Sequence, residues 1–242
     1  MSALEVALWR GPETEDGDMG IAVEALSKTL NEQIPYSVNV DKRGTVALDG
    51  APYDSYREYL DGFEEEADLQ QGAVNLCLYY WFEADVALDG ILEALEERDI
   101  ISCSPTENEE SKEKINQEPW CGYDNGELAP DQSPAAVVNT LWDIIPLSCT
   151  YENFVIHEVL HAVLENEKAP QQGNDDSYGD IIDDDATPMA TGYVEPISTN
   201  PKPQVLCNHE TVPTMAGHTT TLSDCTKDEI ERRMTELYGP PE

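Results

Sequence analysis

One segment of the chain, residues 150–167, is apolar on nearly every side of a helix, and this limits the folds open to the rest. Thr150 is placed to cap that helix. Its apolar residues cover all faces of the helix: Phe154, Val155, Ile156, Val159, Leu160, Val163 and Leu164. A helix of this kind is stable only where protein surrounds it. We therefore predict a buried helix with the other elements packed around it.

Strands and amphipathic helices on both sides of this segment predict an α+β fold, with a mixed twisted sheet packed on the buried helix. Runs of branched and aromatic residues favour strands at 4–9, 36–40, 44–48, 73–82 and 135–142. Periodic apolar residues favour four helices. The first starts near Asp18, the second covers 56–67 behind a Ser55 cap, and the third covers 91–97. The fourth opens with a capping box at 226–229 and stops at Gly239-Pro240.

Two irregular stretches interrupt these elements. Residues 103–134 predict a long loop pinned by Cys103 and Cys121, and residues 168–224 predict a second one. We expect a single domain over residues 1–242. Its αβ part, residues 1–167, includes the buried helix, and its loop-rich C-terminal part, residues 168–242, ends in a helix.

The charge of the chain narrows its possible partners. Thirteen basic residues stand against fifty acidic ones, which gives a formal net charge of -37. Nucleic acids and anionic membranes need a cationic surface, so we expect neither as a partner. Because 40% of the residues are hydrophobic and fall in periodic segments, we expect a folded, acidic protein of halophilic type rather than a disordered chain.

The cysteines and the N-terminus point to different compartments. Six cysteines, at 77, 103, 121, 149, 207 and 225, predict disulfides and slightly favour an extracellular location. The N-terminus shows no basic and apolar leader pattern, and the longest apolar run, 73–82, is strand-sized rather than membrane-spanning. Cys77 lies within that run, and its alternative role is that of a small buried residue.

The buried helix carries the motif HExxH, formed by residues 157–161. Residues four apart lie about 40° apart around a helix axis, so His157 and His161 can reach one zinc ion. Glu158 lies about 100° from His157, where it can take the proton of a zinc-bound water without binding the metal. The alternative is that both histidines donate to carbonyl groups and Glu158 reaches solvent.

With this motif the sequence resembles the metzincin clan of zinc peptidases, and the resemblance implies a zincin-like fold. In that clan the motif continues as HExxHxxGxxH or HExxHxxGxxD, where this chain has Leu164 for the glycine and Glu167 for the third ligand. Residues 174–179 are similar to the aspzincin D-x-x-Y-G motif, which implies Asp175 as the third ligand. They are also similar to an E-H-x-x-G variant of metzincin-like proteins, which implies Asp176, the ligand that we favour.

The resemblance also implies roles for residues further along the chain. Met189 resembles the methionine of a Met-turn, with Met215 as a second candidate, and Tyr193 resembles the tyrosines that stabilise an oxyanion in some metzincins. Cys207 and Cys225 bracket the stretch before the last helix, and we expect them to staple it. We expect His209 and His218 to be surface or loop histidines.

Together these features predict a monomeric zinc metallopeptidase that acts on proteins or peptides and does not insert into membranes. The resemblance further implies that strand 73–82 lies at the cleft edge and pairs with an extended substrate. One alternative is a catalytically degenerate relative with a zinc-binding, structural or interaction role. Another is an acidic calcium-binding domain whose melting temperature depends on calcium and ignores His157→Ala.

The acidic composition yields a first prediction. Thermal stability should rise as salt goes from dilute to molar concentration, because salt screens the mutual repulsion of the carboxylates. Melting temperatures over a salt series measure this effect. A flat or falling curve would contradict the halophilic interpretation.

Overall fold

The computed structural model describes residues 3–49, 51, 56–80, 122–140, 150–165, 169, 175–193, 206–208 and 217–241. The predicted helix over 91–97, Ser55 and cysteines 103, 121 and 149 lie outside these residues. No helix in the described part of the chain is long and apolar enough to cross a membrane.

A five-stranded mixed sheet forms the centre of the αβ part. Its strands are β1 (Ala3–Arg10), β2 (Ser37–Thr45), β3 (Val74–Tyr79), β4 (Gly122–Asn125) and β5 (Ala135–Asn139), in the order β2-β1-β3-β5-β4. Four strands are parallel, and β4 runs antiparallel to β5 at one edge. Every residue of β3 and β5 is buried, as expected for strands covered on both faces. The predicted α+β class and mixed sheet are confirmed.

Helices cover both faces of this sheet. On one face pack α1 (Asp16–Glu24), the π-helical turn that continues it (Ala25–Leu30), and α3 (Thr150–Val163). On the other face packs α2 (Tyr56–Glu66), through Tyr59, Leu60 and Phe63. Alternation along each strand explains the two cores, since Leu76 and Leu78 face α3 while Cys77 and Tyr79 face α2.

The apolar segment is a buried helix, as predicted. None of the seven apolar side chains named above is more than 2% exposed. They lie in the same core as the inward side chains of β1, β3 and β5. The helix α3 is therefore the element on which the sheet and the C-terminal part both pack.

Several predicted boundaries are wrong. A single strand, β2, replaces the two predicted at 36–40 and 44–48, because its pairing with β1 continues to Arg10 and Thr45. Residues 122–125, expected in a loop, form β4 because pairing with β5 satisfies their backbone groups. The strand predicted at 73–82 is central rather than at the edge, since β3 pairs with β1 on one side and with β5 on the other.

The C-terminal part contains more regular structure than predicted. A hairpin of β6 (Ile181–Ile182) and β7 (Asp185–Ala186) pairs with β8 (Gly217–His218). Asp183 and Asp184 form its two-residue turn with φ of 53° and 71°, a conformation that aspartate tolerates better than most residues.

The final helix, α4 (Asp224–Tyr238), begins earlier than its predicted capping box. Ser223 is the N-cap and its hydroxyl accepts from the Thr226 N–H at 3.0 Å, so the prediction of Thr226 as the cap is wrong. Thr226 instead uses its hydroxyl to bond the Tyr178 carbonyl. The predicted stop is confirmed at Gly239, which has φ of 88°.

The cysteines follow two of the expectations. Cys207 and Cys225 form the predicted disulfide and join the 206–208 segment to the first turn of α4. Cys77 is a buried free thiol, and burial raises its pKa. This is the alternative role that the sequence suggested for it.

Candidate metal centre

The two histidines of α3 point at each other. His157 Nε2 and His161 Nε2 are 2.8 Å apart, and the ring centroids are 4.3 Å apart with the planes nearly perpendicular. The α-helical spacing causes this arrangement, because residues four apart share one face. The two rings therefore converge on one place instead of entering separate surroundings.

A backbone carbonyl orients the first imidazole. His157 Nδ1 lies 2.6 Å from the Pro188 carbonyl oxygen, and since that oxygen can only accept, Nδ1–H is the donor. A neutral imidazole carries one ring proton, so this bond leaves a lone pair on Nε2. The lone pair faces His161. In metal-binding histidines, the ring nitrogen that does not bind the metal commonly donates such a hydrogen bond.

These nitrogens suit a cation such as zinc. With no cation present, the 2.8 Å contact between the two Nε2 atoms needs a proton on one of them. A zinc ion accepts lone pairs from both, and neutral imidazole nitrogen is one of its preferred ligands. His157 is only 9% exposed, so its polar atoms need partners inside the protein.

Glu158 is buried beside the histidines. Its side chain is 4% exposed, which contradicts the alternative that it reaches solvent. A carboxylate with little access to water costs several kcal/mol unless polar groups or a cation compensate for its charge. Its place on α3, about 100° around the axis from His157, suits a group that acts next to a metal without binding it.

A short 3-10 turn supplies the carbonyl that holds His157. This methionine turn (Pro188–Tyr193) packs against α3, and Met189 is fully buried in the same core. Two bonds between Asp180 and Thr187 brace the turn, at 2.9 and 3.0 Å. Of the two candidate methionines, Met189 lies beside the histidine helix, while Met215 and the Tyr193 side chain lie outside the described residues.

The favoured third ligand belongs to a second 3-10 turn, the aspartate turn (Asp175–Tyr178). Its backbone is described, but the side chains of Asp175 and Asp176 lie outside the described part, as does Glu167. Within the part of the chain that the structure describes, no group of three or more His, Cys, Asp or Glu side chains is arranged to hold a metal. The third ligand stays a prediction.

The aspartate turn and the methionine turn are in direct contact through Gly179. A Cβ atom at Gly179 would lie 2.4 Å from the Met189 carbonyl carbon and 2.5 Å from the Ala190 nitrogen. Only glycine permits this approach of two backbones. The close packing of the two turns therefore explains why the motif at residues 174–179 ends in glycine.

Leu164 takes the place of the glycine expected after HExxH. Its N–H bonds to the Leu160 carbonyl at 2.8 Å, and its side chain is 1% exposed. The helical bonding thus continues into the predicted glycine position, and the chain leaves the helix with Leu164 anchored in the core.

The prediction for His218 is wrong. It is 1% exposed, lies in β8, and packs beside Phe154 with ring centroids 6.0 Å apart. Asn153 of α3 ties the neighbouring strands to the helix, because its Nδ2 donates to the carbonyls of Ala186 in β7 and of Thr219, which follows β8. His209 lies outside the described residues.

Sequence reasoning missed two contributors to the site. The Pro188 carbonyl carries no side-chain signal, although proline before a buried methionine marks a turn. Asn153 could have been found, because it is a polar residue within an otherwise apolar helix.

Comparisons with protein-family models, with curated proteins and with solved structures find no match to this chain. The functional argument therefore depends on the chain's own residues.

The Gly179 contact yields a second prediction. Gly179→Ala should lower the free energy of unfolding by roughly 1–3 kcal/mol, since backbone atoms must move to admit the methyl group. It should also weaken zinc binding, because the displaced methionine turn carries the Pro188 carbonyl. Denaturant unfolding and zinc titration measure the two effects.

Gly20→Ala is the matched control for this substitution. Gly20 lies within α1, and a Cβ there meets nothing within 4 Å. We expect that variant to be as stable as the parent or more stable, because alanine favours a helix. Equal stability of Gly179→Ala and the parent would show that the two turns do not depend on this contact.

Proposed function

We propose that the chain is a zinc-dependent metallopeptidase of zincin-like fold, with α3 as its active-site helix. The observation that carries the proposal is the convergence of His157 Nε2 and His161 Nε2, together with the bond from His157 Nδ1 to Pro188. The buried Glu158 and the packing of Met189 support it.

The residues have separate roles in this proposal. His157 and His161 bind zinc through Nε2, and Asp176, or else Asp175 or Glu167, completes the ligand set. When bound, zinc supplies a Lewis acid that lowers the pKa of a water and polarises a carbonyl. Pro188 keeps His157 in the tautomer that can bind.

Glu158 acts as the general base. A carboxylate beside the histidines accepts the proton of the attacking water and can later pass it to the leaving amine. Its burial strengthens this role, because electrostatic interactions are stronger where water is excluded. The chain then hydrolyses a peptide bond with no covalent intermediate on the protein.

The edge strand β4 suggests how a peptide binds. Among the strands that the structure describes it is the last of the sheet, and it contacts α3. An extended peptide can pair with such an edge through backbone hydrogen bonds, which favours protein or peptide substrates of broad sequence. This position replaces the one predicted for residues 73–82.

A third prediction tests the chemistry. The parent should bind one equivalent of zinc and hydrolyse casein. Glu158→Gln should bind zinc equally and lose roughly 10²- to 10⁴-fold in kcat, the typical contribution of general acid–base catalysis. His157→Ala should lose both zinc and activity.

Glu152→Gln is the matched control, because it removes the same charge from the first turn of the same helix. Glu152→Gln should keep both zinc binding and the hydrolysis of casein. Zinc bound at one equivalent with no hydrolysis of casein or a peptide library would favour the degenerate relative. No zinc binding would exclude the metallopeptidase and leave a degenerate relative with a structural or interaction role. Calcium-dependent melting in His157→Ala would instead favour the calcium-binding domain.

A further inference from the structure

The end of the histidine helix is held by charges from α4. Glu165 lies two residues beyond the end of α3, and its two carboxylate oxygens lie 2.7 Å from Arg233 Nη1 and 3.1 Å from Arg232 Nη2. The Glu165 and Arg233 side chains are 17% and 13% exposed. These contacts join the C-terminal helix to the chain only four residues after His161.

Both arginines are themselves fixed. Arg233 Nη2 also donates to the Leu128 carbonyl at 3.0 Å, and Arg232 pairs with Glu229 and Glu236 of its own helix. An arginine with several partners loses little further freedom when it binds a carboxylate. Because the Glu165–Arg233 pair is largely shielded from solvent, salt screens it less than it screens surface pairs.

The start of α4 also holds the aspartate turn. The Tyr178 carbonyl, at the end of that turn, accepts from the Ser223 hydroxyl and from the Thr226 hydroxyl, the latter at 3.1 Å. The Tyr178 hydroxyl reaches back and donates to the Glu165 carbonyl at 3.2 Å. Glu165 and Tyr178 are thus tied to each other and to α4.

Residues 166–174 join Glu165 to the aspartate turn. The two ends of this connection are therefore held at a set separation, whatever path the connection takes. A third ligand that comes from the turn needs its backbone at a defined distance from the two imidazoles, because zinc accepts ligands only within a narrow range of lengths.

We propose that Tyr178, Glu165 and Arg233 are positioning residues for the metal, which place the aspartate turn against His157 and His161. The inference rests on the proposed function, since it assigns the third ligand to Asp175 or Asp176. None of the three positioning residues binds zinc itself. They act by fixing the turn before the metal arrives.

Zinc affinity of the folded variants tests this fourth prediction. Tyr178→Phe removes a single hydroxyl and should weaken zinc binding by roughly 10- to 100-fold, the range seen when outer-shell partners of metal ligands are lost. Arg233→Met should act in the same direction. A chelator-competition titration measures zinc affinity, and circular dichroism at the titration temperature shows that each variant is folded.

Arg43→Met is the control. Arg43 of β2 pairs with Asp41 and lies over the ring of Trp9 on β1, so its loss removes two contacts without touching the aspartate turn. Its zinc affinity should equal that of the parent. A merely structural role for Tyr178 predicts the same for Tyr178→Phe.

The outcomes separate the two proposals. Weaker zinc binding in Tyr178→Phe but not in Arg43→Met supports the positioning role. Equal affinity in the parent and in all three folded variants overturns it and leaves the metallopeptidase proposal standing. Absence of zinc binding by the parent overturns both.

Discussion

The hydrogen bond from His157 Nδ1 to the Pro188 carbonyl is the interaction on which the site depends. It selects the imidazole tautomer whose Nε2 lone pair faces His161, 2.8 Å away. It also joins the histidine helix to the methionine turn. The methionine turn in its turn packs on Gly179, at the end of the aspartate turn, so the two turns and α3 form one connected set of contacts.

The rest of the fold packs around the helix that carries that bond. Side chains of the sheet and of the C-terminal part share one apolar core with α3. Asn153 ties it to β7 and β8, and Glu165 just beyond its end ties it to α4. In a chain of net charge -37, the Glu165–Arg233 ion pair that holds α4 is largely shielded from solvent, where salt weakens it least.

Sequence patterns predicted the features that follow from burial and local spacing. The apolar character of α3, the HExxH spacing and the branched residues of β3 and β5 each led to the observed element. Features that arise from pairing between distant segments were missed. Polar residues such as those of β4 join the sheet by pairing with β5, and His218 lies in a strand that pairs with β7 and is tied to α3 through Asn153. The Pro188 contact uses a backbone atom, which no side-chain pattern reveals.

The central claim is that one metal ion joins the Nε2 atoms of His157 and His161 while His157 keeps its Nδ1 proton. Because the chain has four histidines, imidazole nitrogen NMR of the labelled protein can follow each ring as one equivalent of zinc is added. The account predicts that Nε2 of both rings takes the chemical shift of a metal-bound nitrogen and that His157 Nδ1 stays protonated. Unchanged signals from these two rings, or zinc bound at His157 Nδ1, would contradict it.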